Sequence, residues 1–171
     1  MDSRTYTFEG AEPTIHEDAR VSPEATLVGD VVIGTDASVW AGAVLRGDVG
    51  TVRAGEGSHV GDNVVFHVAT VGDGVMIGHG AILNEATVED GCLIGANATI
   101  NPGVSVGENS VIASGTVVPE DYDVPPESFV RGVPADITPI AETTIDLDEI
   151  SGSYSSGSYT DLASRHEDLF D

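Results

Sequence analysis

Aliphatic residues recur at every sixth position through most of this chain. Ile15, Val21, Leu27, Ile33, Val39 and Leu45 keep that spacing without interruption. A nine-residue step leads to Ala54, Val60 and Phe66, and a five-residue step to Val71, Ile77 and Leu83. Another five-residue step opens the run Val88, Ile94, Ile100, Val106, Ile112 and Val118. Four residues after most of these stands a small or short side chain, among them Ala25, Ala37, Ala43, Ala81, Cys92 and Ala98. A helix would need apolar residues three and four apart on one face. Here β-branched residues dominate, and glycine follows them in Ile33-Gly34, Val60-Gly61, Ile77-Gly78 and Ile94-Gly95. A short fixed period means one unit stacked on itself. The pattern predicts an all-β solenoid of very short strands, cornered by Gly, Asn and Asp around a narrow core.

The ends depart from the repeat. Residues 1–14 read as a lead-in, 15–119 as the solenoid and 120–143 as a strap carrying Pro125, Pro126, Pro134 and Pro139. Residues 144–171 read as an acidic C-terminal α-helix, with a ragged stripe at Ile145, Ile150, Tyr154, Tyr159, Leu162 and Phe170. Asp146 followed by Glu149 has the spacing of a helix N-cap. The Ser/Gly-rich run 151–158 weakens that helix, so packing has to hold it.

Composition narrows the partners. Asp and Glu number 29 against six arginines and no lysine, for a net charge of −23. Nucleic acid and anionic membranes are excluded as natural partners by that field. A chain so acidic and without lysine resembles proteins of salt-accumulating halophiles. Salt would relieve its self-repulsion, since the Debye length falls to about 3 Å at 1 M. No stretch has the length of a bilayer span or the character of a signal peptide, and the single Cys92 reads as a core residue. The expectation is a cytoplasmic protein.

Chains built on such hexads resemble left-handed parallel β-helices, in which three hexads make one triangular coil. That resemblance implies a column of stacked residues one past the beat: Val28, Arg46, His67, Asn84, Asn101 and Pro119. Neighbours in it stand one strand spacing apart, about 4.8 Å. Asp62 and His79 stack at another corner. A metal shared by His67 and His79 therefore has to lie between subunits.

The run Val39-Trp40-Ala41-Gly42-Ala43-Val44-Leu45-Arg46-Gly47-Asp48 resembles the W-x-G-A-V-L-R-G-D signature of the γ-class carbonic anhydrase family. Arg53, Gly61-Asp62-Asn63-Val64-Val65-Phe66-His67, Ile77-Gly78-His79-Gly80-Ala81 and Val130-Arg131-Gly132-Val133-Pro134-Ala135 follow in that family's order. The resemblance implies a homotrimer with zinc, iron or cobalt at each interface, hydrating carbon dioxide reversibly to bicarbonate. It makes His67 one ligand and His79 the ligand donated across the interface. Asn84 occupies the position of the third histidine, and Gly61 that of a glutamine which bonds the metal-bound water. An amide oxygen is a weaker zinc ligand than imidazole. His59, where the family commonly has asparagine, is the candidate substitute ligand. Asp62 is the candidate catalytic carboxylate, orienting an imidazole or accepting a proton. Arg46, Asp48, Arg53 and Asp62 resemble the family's interface ion pairs. His16 and His166 are assigned no role. Two other readings stay open: a non-catalytic trimeric scaffold, and a hexapeptide-repeat acyltransferase using acetyl-CoA.

Overall fold

The computed structural model describes residues 4–153 and 156–166. The repeat folds as a parallel β-solenoid of about seven turns. Every sixth-position aliphatic residue from Leu27 to Val118 is buried, none more than 2% exposed. The short side chains four residues later are buried with them, from Ala25 through Cys92 to Thr116. Each strand thus sends one large and one small residue inward, which suits a core only two side chains across. Three-sided coils stack so that equivalent strands pair in parallel, as Leu83 pairs with Phe66 and Ile100.

Two of the three faces share the long strands Thr26–Ile33 and Val44–Ala54, so they form one twelve-stranded sheet. The third face is a separate eight-stranded sheet. Asn and Asp turn the corners in the left-handed backbone region, at Asp36, Asn63, Asn97, Asn109 and Asp121. The five-residue steps trim a coil to 17 residues, while the nine-residue step lengthens one to 21. The register nevertheless holds, because the extra residues lie inside Val44–Ala54, between Gly47 and Val52.

The solenoid extends beyond the segment expected from the repeat. Val124 and Val130 continue the six-residue spacing and are buried. Asp123–Val124 pairs in parallel with Ser105–Val106, and Ser128–Arg131 with Val111–Ile112. Prolines 125 and 126 mask this last coil in the sequence because they fall at its corner, where no ladder hydrogen bond is lost. Asp136–Pro139 then folds back antiparallel on Ser128–Arg131. At the other end, Arg4–Tyr6 of the lead-in adds a strand beside Thr26–Val28.

The C-terminal segment forms two helices where one was expected, α1 (Leu147–Ser153) and α2 (Ser156–His166). Asp146 caps α1 as its spacing implies, its Oδ1 accepting from the backbone N–H groups of Asp148 at 3.0 Å and Glu149 at 3.2 Å. The stripe residues Tyr154 and Phe170 lie outside the described residues. Helix α2 packs across Arg20–Val21 and Ser38–Val39 of the eight-stranded sheet. No helix among the described residues is long and apolar enough to cross a membrane.

Candidate functional site

His67 and Asn84 are the last residues of adjacent strands, Val65–His67 and Ile82–Asn84, and pair in register. Arg46 pairs with His67 on the other side, so the expected column is present. The residues just after them, Val68 and Glu85, have φ of 52° and 46°. That left-handed step ends both strands at the same corner and presents their terminal side chains there. For a β-branched valine the conformation is strained.

His67 is held by a hydrogen bond at one ring nitrogen. Nδ1 stands 2.9 Å from Asn84 Oδ1. With that oxygen as acceptor, Nδ1 carries the proton and Nε2 the lone pair. Nε2 lies 3.3 Å from Asp48 Oδ1, yet both atoms are buried and neither makes a hydrogen bond. The other oxygen of Asp48, Oδ2, accepts from Arg46 Nη2 at 2.7 Å and Nε at 3.2 Å. That guanidinium holds the Asp48 carboxyl below the usual carboxylate range, against the opposing effect of partial burial. The family-like pair Arg46–Asp48 is thus closed within one chain.

His79 lies at a different corner, just past Met76–Ile77 of the eight-stranded sheet. Its ring is largely exposed, and Nδ1 contacts Asp62 Oδ2 at 3.1 Å while the Asp62 backbone N–H donates to it, also at 3.1 Å. Asp62 therefore orients an imidazole that faces outward. Gly61 beside it leaves no room for a side chain: a Cβ there would lie 2.8 Å from the Ile77 carbonyl oxygen and 3.1 Å from His79 Nδ1. Arg53 is exposed, and its side chain makes no ion pair or hydrogen bond among the described residues. It lines a cleft of about 260 Å³ with His16, Glu56 and Asp73.

His59 belongs to neither corner. It lies on the eight-stranded sheet at 4% exposure, away from the corner where a substitute ligand was expected. Its Nδ1 meets the buried Ser38 hydroxyl at 3.1 Å. Its ring is covered by Tyr159 of α2, with centroids 4.2 Å apart, and by Trp40 at 5.6 Å. Burial, aided by the nearby His79 charge, lowers its pKa to about 4. Ser38, Trp40 and Tyr159 were not singled out beforehand as its partners. The pairing of Ser38 with His59 follows from the 21-residue coil, but the contact with Tyr159 depends on how α2 docks. Cys92 is inert by the same logic, its thiol donating to the Gly107 carbonyl and its pKa raised by burial to about 11.

Among the described residues, no three His, Cys, Asp or Glu side chains of one chain gather as a metal site. The donors do fit a divalent ion as a half-site. His67 Nε2 is a buried nitrogen without a hydrogen bond, and the His79 imidazole at the other corner is largely exposed.

Two family models match the chain: the hexapeptide repeat of succinyl-transferase over residues 85–119, and the bacterial transferase hexapeptide (six repeats) over residues 12–47. The mitochondrial gamma carbonic anhydrase 1 of Arabidopsis thaliana is 49% identical over 57 residues, 33% of this chain and 21% of that protein. The match therefore spans about a fifth of the length of this plant relative. The carnitine operon protein CaiE of Salmonella agona is 35% identical over 135 residues, 76% of this chain and 68% of its own length. Among solved structures, a hexapeptide transferase family protein from Anaplasma phagocytophilum superposes with a TM-score of 0.89 at 28% identity. That alignment covers 97% of this chain and 99% of the other.

Proposed function

This chain belongs to the hexapeptide-repeat family, and on that premise we propose that it is a γ-carbonic-anhydrase-like homotrimer with a divalent-metal site at each subunit interface. The observation that carries this reading is the corner where Arg46, His67 and Asn84 stack with a buried, unpaired His67 Nε2. The geometry within one chain supports a shared site, since His67 and His79 occupy different corners. His67 of one protomer and His79 of the partner subunit hold the ion, which is zinc, iron or cobalt. When bound, such an ion supplies water acidified toward about pH 7, the chemistry that hydrates carbon dioxide to bicarbonate.

The chain's own residues do the rest. Asn84 fixes the His67 tautomer by accepting from Nδ1, so that Nε2 faces the site. Asp62 holds His79 at Nδ1, its backbone N–H donating there at 3.1 Å, so ligation through Nε2 would require that contact to give way to Nδ1–H donating to the Asp62 carboxylate. Asp62 is then a positioning carboxylate before it is a proton acceptor. The unpaired Arg53 is available to a carboxylate of a neighbouring subunit, with the bidentate geometry that arginine provides.

Carbon dioxide hydration by stopped flow, on metal-reconstituted protein in molar salt, tests the activity. Activity in the wild type that His67→Ala and His79→Ala each abolish is the expected result. Trimers that hold metal and hydrate no carbon dioxide would leave the fold and assembly but reject the reaction. A second reading has a specific basis, because both matching family models describe transferases. Saturable binding of acetyl-CoA by the metal-free trimer would favour it. No long loop leaves the coils among the described residues to form an acyl-donor cleft.

A further inference from the structure

The pair Asp48 Oδ1 and His67 Nε2 is the one place where two buried polar atoms of the described residues face each other without a hydrogen bond. They stand 3.3 Å apart. Each has its partner atom already engaged. His67 Nδ1 is tied to Asn84 Oδ1, which leaves the lone pair on Nε2, the ring atom 3.3 Å from Asp48. Asp48 Oδ2 is tied to Arg46, which leaves Oδ1 as the oxygen 3.3 Å from His67 Nε2. A lone pair facing a carboxylate oxygen is repulsive unless a cation or a proton lies between them. Two ligand atoms on a tetrahedral ion with bonds of about 2.0–2.2 Å sit roughly 3.3–3.5 Å apart. The spacing of these two atoms is that of a ligand pair.

We infer that Asp48 is a metal ligand, forming a two-histidine, one-carboxylate set from His67 Nε2 and Asp48 Oδ1 of one protomer and His79 of the partner subunit. This rests on the metal-bearing, trimeric reading above and deepens it. Asn84, although it occupies the position of the lost histidine, stands outside the set as the residue that orients His67. Carboxylate replaces imidazole without loss of a protein ligand, and two histidines with one carboxylate are a known ligand set for zinc and for non-haem iron. Arg46 keeps Asp48 ionised and in place, the role a second layer of hydrogen bonds commonly has around a metal.

The test is cobalt(II) titration of the full-length wild type, Asp48→Asn and Asn84→Ala in molar salt, read by visible absorption and chelator competition. The assembly of each protein is checked by light scattering. The wild type binds one cobalt per protomer with the intense absorption of a low-coordinate site. Asp48→Asn weakens binding by more than 100-fold, and Asn84→Ala by no more than about tenfold. Wild-type affinity in a trimeric Asp48→Asn overturns the inference and leaves the metal-bearing reading intact. No binding by the wild type overturns both. If Asp48→Asn fails to assemble, a crystal structure of the cobalt-loaded wild type decides. Asp48 Oδ1 within about 2.2 Å of the ion upholds the inference. Coordination by Asn84 with Asp48 beyond 3 Å, or a proton alone between Asp48 and His67, overturns it.

Discussion

His59 and His67 show how differently two histidines fare on one solenoid. His59 is packed against Tyr159, Trp40 and Ser38 and kept neutral, its pKa near 4. Above the ordinary value of about 6.5 the ring is neutral in folded and unfolded chains alike and has no effect on pH dependence. As pH falls from 6.5 to about 4, the unfolded chain takes up a proton that the folded one refuses, so stability declines across that window. The loss levels off below 4 at about 3 kcal/mol. Denaturant melts from pH 7 to 4 in constant molar salt should show it, and His59→Gln should flatten this part of the profile. Val68 is the second residue-scale prediction. Its φ of 52° is a strained conformation for valine, so Val68→Asn should raise stability by about 1 kcal/mol in thermal melts. At this scale the His67–Asn84 stack was legible, because period and strand spacing together fix register. The approach of Asp48 to His67 was not, because it depends on how the nine-residue step is absorbed between Gly47 and Val52.

Elements follow the same division between what is periodic and what is not. Strands announce themselves through the six-residue spacing, yet the last coil was read as a strap because Pro125 and Pro126 obscured Val124 and Val130. Those two valines are buried, so Val130→Asp should cost several kcal/mol, the charge having no partner in that core. A large loss of melting temperature would confirm that the solenoid reaches Arg131, and a neutral outcome would contradict it. The helices were legible in existence and in the Asp146 cap, but their division and docking were not, since a Ser/Gly-rich run carries little helical signal. Helix α2 covers His59 through Tyr159. Tyr159→Ala should therefore expose His59 and move its pKa up toward 6.5, which a proton NMR titration of the ring resonances would read directly.

At the scale of the whole molecule, charge and assembly dominate. A net charge of −23 on 171 residues favours expansion and dissociation wherever counterions are scarce. Sedimentation from molar to millimolar salt should show the proposed trimer loosening, and an unchanged sedimentation coefficient would reject that. The solenoid sets His67 and His79 at different corners of one chain, so the proposed metal chemistry requires another copy to complete it. The measurement that bears most directly on this account is metal content per protomer, by elemental mass spectrometry of the trimer purified in molar salt. Close to one zinc, iron or cobalt per protomer, absent from His67→Ala, is the predicted result. A trimer that holds no metal even after reconstitution would contradict the account and leave His67 and His79 as residues of assembly alone.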